Sequence, residues 1–439
     1  MAVEQGLDTK RIQELDRQYV LHSWSVQNQI SPLVVTGGEG RYFWDADGNR
    51  YLDFASQLVN VSIVHQHPKV VAAIKEQADK LTTIGPPMAH EARSELARLL
   101  AEVTPGDLTM SFFTNGGAEA NENAIKLARM YTGRHKILAR YRSYHGGTAG
   151  AISLTGDPRR WAAEPGIPGV VHVPDPYHGI QRGWDDVGLA LANLEEVIQL
   201  EGPHTIAAFF VETVTGTNGI LVPPDGYLQG VRALCTKYGI LMVADEVMAG
   251  FGRTGEWFAV NHWGVVPDLL TMAKGLTSAY VPLGAVGMRR TIADHFTDKV
   301  FYGGLTYNSH PLGCATALAT IAVYEEDDLI ARAKRMGDVM ARHMRDLEAR
   351  HPIVGATRSL GLFGMIELVK DRTSMEPLAP FNGTSEPMLA LGRFLRQEGL
   401  YTFVRWNTIM TNPPLVITEE ELAHGFDILD RGIAAIENA

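Results

Sequence analysis

Lys274 lies in DLLTMAKGLTSAYVPLGAVGM, residues 268–288, after Leu269, Leu270, Met272 and Ala273 and before Gly275 and Leu276. The flanks read as two short buried strands, where an ammonium is costly unless something offsets it. Such a lysine either snorkels from a strand end to water or gives up its full charge in chemistry. Other reactive groups share its setting. In ILMVADEVMAGFGRTG, Asp245 and Glu246 directly follow buried-type residues. A carboxylate there caps the next turn, or holds a protonated ring nitrogen, because a nearby cation favours the ionised acid. RYRSYHGGT offers Tyr144 and His145 after another apolar run. A ring at that point is a half-buried surface aromatic or a stacking face for a flat ligand. Glu212, in FFVETVTG, ends a fourth run, with the same capping alternative. In FFTNGGAEANENAIKLAR, Gly116, Gly117 and Ala118 either form an ordinary tight turn or present open N–H groups to a phosphate at a helix start. This segment has neither the Gly-Lys-Ser/Thr ending of a P-loop nor the G-x-G-x-x-G spacing of a dinucleotide site.

These groups act together only if a scaffold gathers them. From about residue 68 to 325, short apolar runs (MSFFTN, KILARY, TIAAFFVET, GILMVADEV, DLLTMA) alternate with amphipathic helical stretches such as HPKVVAAIKEQADKL, HEARSELARLLAEV and YLQGVRALCTKYG. Alternation of this kind predicts an α/β fold with a largely parallel sheet covered on both faces. Ligands then sit beyond the carboxyl ends of the strands, where the reactive residues fall. Residues 10–30 read as a helical arm, and Asp47-Gly48 as a hairpin turn. The expected organisation is an N-terminal arm and part of a small domain (1–67), a large ligand-binding domain (68–325) and a C-terminal small domain (326–439), with 371–387 as its longest loop.

The 439-residue chain carries a formal charge of −11, only two cysteines (Cys235 and Cys314) and no dense basic run. This disfavours nucleic acid, anionic membranes, disulfide frameworks and cysteine-based metal clusters. The polar N-terminus and the lack of a long apolar run lead to the expectation of a soluble, cytoplasmic protein. A phosphate cradle, a carboxylate, an aromatic ring and a lysine on one sheet edge specify pyridoxal 5'-phosphate better than a nucleotide or a metal. The lysine condenses with the cofactor aldehyde, the carboxylate keeps the pyridine nitrogen protonated, and the glycine turn binds the phosphate.

VADEVMAGFGRTGEWFA, followed by PDLLTMAKGLTSAYVPLGA, resembles the signature of the class III pyridoxal-phosphate aminotransferases, the ω-aminotransferase group. GAEANENAIKLAR, YHGGT, YNSHPLGCATALA and NPPLVITEEEL extend the likeness from about residue 15 to the C-terminus. The resemblance implies fold type I, a large mixed, mostly parallel sheet domain with a smaller α+β domain, and active sites shared across a homodimer, with tetramers left open. It assigns Lys274 to covalent attachment of the cofactor, Asp245 to the ring nitrogen and Glu212 to orienting the cofactor's surroundings. Val247 would pack on the ring face opposite Tyr144, Gly116, Gly117, Ala118 and His145 would line the cofactor, and Thr306 would reach the phosphate from the neighbouring subunit.

The implied reaction is ping-pong transamination between an amine donor and a 2-oxo acid, pyruvate or 2-oxoglutarate. The 4-aminobutyrate branch has an arginine where this chain has Gly147, and a glutamate where it has Thr217. Both departures point to taurine, β-alanine or simple amines. Arg405 falls near the family's switch arginine, with a surface strand position as its other reading. Trp24 and Val59 are expected in the pocket wall, Val59 being also an ordinary core position. Val64 and Ala279 replace usual glycines and are expected to tune pocket shape or stability. A 4-aminobutyrate aminotransferase, an aminomutase, a decarboxylating aminotransferase or a phospholyase shares the same cofactor residues, and a non-catalytic cofactor-binding protein is the reading from another class.

Overall fold

Seven apolar runs pair into one central sheet in the computed structural model, which describes residues 8–437. The strands are β1 (Met110–Thr114), β2 (Lys136–Arg140), β3 (Val170–Val173), β4 (Ile206–Glu212), β5 (Leu241–Asp245), β6 (Leu269–Met272) and β7 (Gly284–Met288). Their spatial order is β1-β7-β6-β5-β4-β2-β3. Only β7 runs antiparallel to its neighbours, β1 and β6; the other pairs are parallel. Every residue of β4 and β5 is buried, as expected of strands covered on both faces. Glu212 pairs with Asp245, and Asp245 with Thr271, so the two carboxylates end adjacent strands at one level.

The helix Gly117–Thr132 follows β1 directly and stops at Gly133, whose φ of 67° supplies the left-handed C-cap. Its buried face carries Ala120, Ala124 and Leu127 together with the polar Asn121. That face packs across β7 and β6.

The hairpin at Asp47-Gly48 joins Tyr42–Asp45 to Arg50–Asp53, with Gly48 at φ 83°. Asp45 Oδ1 accepts from the N–H groups of Asp47 and Asn49 at 3.0 and 2.9 Å, which fixes the turn. Leu400–Tyr401 pairs in parallel with Arg50–Asp53, so early and late stretches of the chain share a four-stranded sheet. A second C-terminal sheet is antiparallel and ends at Val404–Arg405. Arg253 bolts these parts together. It is fully buried and donates to the carbonyls of Leu362 and Pro413 at 3.1 and 2.5 Å and to Ser56 Oγ at 3.2 Å.

Two expectations need correction. The N-terminal helix spans only Thr9–Tyr19; a turn follows, with Trp24 at φ 56° and a single 3-10 turn at Gln27–Gln29. The stretch 371–387 is not all loop, because Glu376–Pro377 pairs with Phe363–Asp371 and a helix begins at Glu386. Residues 1–7 of the expected arm and 438–439 of the expected C-terminal domain lie outside the described residues.

Lys274 opens a single 3-10 turn, Lys274–Leu276, just after β6, with φ 40°. Ser278 and Ala279 follow at φ 49° and 63°. A side chain is strained in this region and glycine is not. Ala279 is exposed, and its N–H donates to the Lys274 carbonyl at 3.3 Å. Ala279→Gly is therefore expected to raise unfolding stability by about 0.5–1 kcal/mol, the relief of strain exceeding the gain in unfolded-chain entropy. A denaturant midpoint that stays put or falls would contradict this.

Candidate active site

Beyond the carboxyl ends of β4, β5 and β6 lies a cavity of about 680 Å³. Its wall includes Lys274, Asp245, Glu212, Tyr144, His145, Val247, Gly117 and Ala118, and also Trp24, Val59 and Arg405. Gly116, expected with them, is absent from that wall, as is Thr306, which is expected to serve a neighbouring subunit. Gly116 instead caps the helix, its carbonyl accepting from Ala120 N–H and, at 3.0 Å, from Thr114 Oγ1. Thr306 is exposed on a loop where Leu305 has φ 94°, so within one chain it stands apart from the other groups. Val64 and Ala279 are not on the wall either. The Val64 carbonyl accepts from Tyr280 Oη at 2.5 Å, so its effect on pocket shape is not a direct one.

No described residue accepts a hydrogen bond from Lys274 Nζ. Burial pushes its pKa down, and the Arg159 charge adds to this against the opposing pull of Asp245 and Glu212. An amine with a depressed pKa is a better nucleophile and proton carrier near neutrality.

Asp245 is held from three sides. Its Oδ2 accepts from His145 Nδ1 at 2.7 Å and from Asn121 Nδ2 at 2.9 Å, and its Oδ1 accepts from Val247 N–H at 3.0 Å. Asn121 is fixed in turn by Thr271 Oγ1, which donates to its Oδ1 at 2.9 Å. A carboxylate has about four acceptor sites, so one remains for a cation or N–H in the cavity. His145 Nε2 is buried without a partner, which assigns the ring proton to Nδ1, facing Asp245.

Glu212 uses both oxygens as turn acceptors, from Tyr144 N–H at 2.8 Å and Gly216 N–H at 2.8 Å. It thereby ties the Tyr144 loop to the loop after β4. Burial raises its pKa, and the Asp245 charge adds to the shift. Accepting those two N–H groups is the geometry of the capping reading. Glu246 points away from the cavity; both its oxygens accept N–H groups, of Ala259 and Val260, and burial pushes its pKa up to about 7.

Gly117 packs directly on Val247: a Cβ there would stand 2.7 Å from Val247 Cγ1. The first N–H groups of the helix have no intrahelical partner and stay bare for an anion. A Cβ on Gly147 would meet nothing within 4 Å, so that side of the cavity is open space. The unpartnered amine, the fixed carboxylate with a free acceptor site and the bare helix start fit pyridoxal phosphate. Among the described residues no group of His, Cys, Asp and Glu could hold a metal ion.

Two groups on or beside this wall escaped the sequence reading. Asn121 stands in the quoted helix but showed only as one polar residue among several. Arg159, in TGDPRRW, lies far from every recognised motif, yet its guanidinium stacks 3.6 Å from the Tyr144 ring centroid. Asp157 accepts from Arg159 Nε at 3.0 and 2.9 Å and lies 3.4 Å from Arg405 Nη2. The only available signal was the Asp-Pro-Arg start of a capped turn.

Sheet order, strand-end carboxylate and lysine together define a fold-type-I, pyridoxal-phosphate-dependent enzyme. The chain matches the aminotransferase class-III family over residues 24–433, and it belongs to that family. It is similar to the taurine:2-oxoglutarate aminotransferase from Bifidobacterium kashiwanohense, whose structure was solved with PLP and glutamate. The two are 42% identical with a TM-score of 0.95, over 98% of this chain and 99% of that one. It is also 34% identical to a putrescine–pyruvate aminotransferase of Pseudomonas aeruginosa, covering 94% of each chain. A taurine–pyruvate aminotransferase of Bilophila wadsworthia is 32% identical, with 98% of each chain covered. No described helix is long and apolar enough to cross a membrane.

Proposed function

We propose that this aminotransferase moves the terminal amino group of an ω-amino acid, of the taurine or β-alanine type, to pyruvate or 2-oxoglutarate. The observation that carries this reading is that one cavity holds the unpartnered amine of Lys274, the Asp245–His145 pair and two arginines, Arg159 and Arg405. Pyridoxal phosphate, when bound, supplies a ring that takes up the electrons left as the donor's C–H bond breaks. Lys274 Nζ removes that proton and returns it on the other side of the exchange. Asp245, steadied by His145 and Asn121, keeps a negative charge facing the ring nitrogen. Tyr144 and Val247 offer flat and branched surfaces to its two faces. Arg405 supplies positive charge for the acid group of either substrate. The names of the taurine-acting relatives support this donor class, and the side chain missing at Gly147 argues against a dedicated 4-aminobutyrate enzyme.

A homodimer completes the reading. Thr306 reaches the cofactor phosphate of a neighbouring subunit, and its surroundings support this. Met88, Val300, Tyr302 and Tyr307 are exposed apolar residues in segments flanking it, and His90 Nε2 contacts the Ser309 carbonyl at 2.9 Å, joining the two segments. The cytoplasm is the proposed location.

The test is a visible-absorption titration of the purified holoenzyme, without acceptor, against taurine, β-alanine, 4-aminobutyrate and 1-phenylethylamine, on a sample whose mass by light scattering is that of two chains. Loss of the resting band with taurine or β-alanine but not phenylethylamine is expected. The reverse pattern would make the protein a simple-amine transaminase and refute the reading.

A further inference from the structure

We propose that a second cavity, behind the loop 217–219, is an effector site for a small apolar carboxylate, and that its occupant weakens the binding of acid substrates in the active-site cavity. The effect on acid substrates rests on the ω-amino acid reading above; the binding site itself does not.

This second cavity has a volume of about 190 Å³, room for roughly six waters at liquid density. One end of it is cationic. Arg142 and Arg358 stand over the Tyr177 ring, their Cζ atoms 5.3 and 5.4 Å from its centroid, and Arg182 joins them on the wall. Arg358 is committed: its Nη2 donates to Glu367 at 2.7 Å and its Nε to the Gly219 carbonyl at 2.9 Å. The guanidiniums of Arg142 and Arg182, in contrast, find no acceptor among the described residues. Asp175 accepts from the Arg142 backbone N–H at 2.5 Å and turns its other oxygen towards Arg140 Nε at 3.6 Å. Gly179, at φ 96°, makes room for Arg142, since a Cβ there would stand 3.3 Å from its Nη2. Glu367 is the one carboxylate on this wall against three guanidiniums, so positive charge is left for an anion.

The other end is apolar, formed by Ala379, Phe381 and Trp406, with the two rings 4.7 Å apart and inclined at 52°. Guanidinium forks at one end and aromatic walls at the other select a carboxylate on a flat or short apolar body.

Thr217 and Trp406 line both cavities. The Thr217 carbonyl accepts from Arg405 Nη1 at 3.2 Å, and the Trp406 ring carries the Arg405 guanidinium at 4.1 Å. An anion seated at Arg142 therefore stands across a shared wall from Arg405. Its charge opposes the acid group of a substrate held at Arg405 and leaves an amine without an acid group unaffected. The coupling is reciprocal, so a bound acid substrate weakens the effector by the same factor.

The experiment uses benzoate as the probe, on holoenzymes of wild type, Arg142→Gln and Arg142→Lys. It reads benzoate binding by calorimetry, and KM for β-alanine and for propylamine at rising benzoate. Wild type is expected to bind benzoate, its KM for β-alanine rising about fivefold to a plateau and that for propylamine staying constant. In Arg142→Gln, binding is expected to weaken about tenfold or more and the plateau to vanish, with kcat/KM for propylamine kept. Arg142→Lys is expected to lie between, since it keeps the charge and loses the fork; it carries the comparison if the glutamine variant does not fold. Inhibition that grows without limit and is the same in Arg142→Gln is competition inside the active site and overturns the proposal, as does a wild type that binds no benzoate. Arg142-dependent binding that leaves the β-alanine KM unchanged overturns the effector role. A wild type that prefers propylamine to β-alanine refutes the donor class, and Arg142-dependent benzoate binding then still upholds the second site.

Discussion

Lys274→Ala is expected to lower transamination by more than about 10⁴-fold, because in the proposed function one nitrogen provides both the covalent attachment point and the proton carrier. The fold should survive, and this separates a chemical role from a structural one. Lys274 Nζ makes no hydrogen bond among the described residues, and its ammonium is disfavoured by burial in the folded chain. A lysine with a depressed folded-state pKa destabilises the folded apo-protein below that pKa. The penalty fades as pH rises through the folded pKa towards the ordinary lysine value. Removing the side chain should therefore leave the cofactor-free protein at least as stable near neutral pH, with the gap to wild type narrowing in alkaline buffer. Calorimetry of the apo-forms, with the visible spectrum of the reconstituted variant, tests both halves. Retained turnover would refute the central assignment, and a large loss of apo stability would return Lys274 to a structural part.

Asp245→Asn should be nearly as damaging for a different reason. It removes a fixed charge facing the cavity, a change worth about 10²–10³ in kcat when a preorganised electrostatic group is lost. It also disturbs its own hydrogen bonds. Oδ1 accepts from Val247 N–H, while Oδ2 accepts from both His145 and Asn121. Whichever way an asparagine amide is turned, its NH₂ meets a donor. Accepting that NH₂ at His145 Nδ1 would force the ring proton onto Nε2, which is buried with no partner. The expected result is the loss in kcat together with a destabilisation of about 1–3 kcal/mol. Asp245→Glu, which keeps the charge but lengthens the arm, should recover some of the cofactor's spectral properties without restoring full rate. A full-rate Asp245→Asn enzyme would show that the charge is dispensable.

Much of the scaffold was legible because its strands bury both faces. Runs such as AAFFVE and LMVAD tolerate no polar residue until they end, so Glu212 and Asp245 announce a strand terminus as well as a functional candidate. The hairpin at Asp47-Gly48 and the helix stop at Gly133 were readable because left-handed backbone selects glycine locally. The N-terminal arm was overextended because a polar, helix-compatible composition does not reveal a break at Trp24, whose positive φ no neighbouring residue type encodes.

The amino-acid sequence by itself determined the chemistry: a lysine between buried strands, a carboxylate closing an apolar strand and a glycine turn before a helix are local patterns, and each carries its own physical cause. How the charged groups of the pocket wall meet was decided by tertiary structure. Asp157, Arg159, Thr217 and Arg405 come from three separate stretches of chain, and Arg159 touches Tyr144 and Trp24 from two more. No periodicity or spacing connects them, since an ion cluster at a cavity wall depends on where loops land and not on the pattern within any one loop. The sequence offers groups whose chemistry suits a pyridoxal-phosphate site, and folding decides which charges stand beside them.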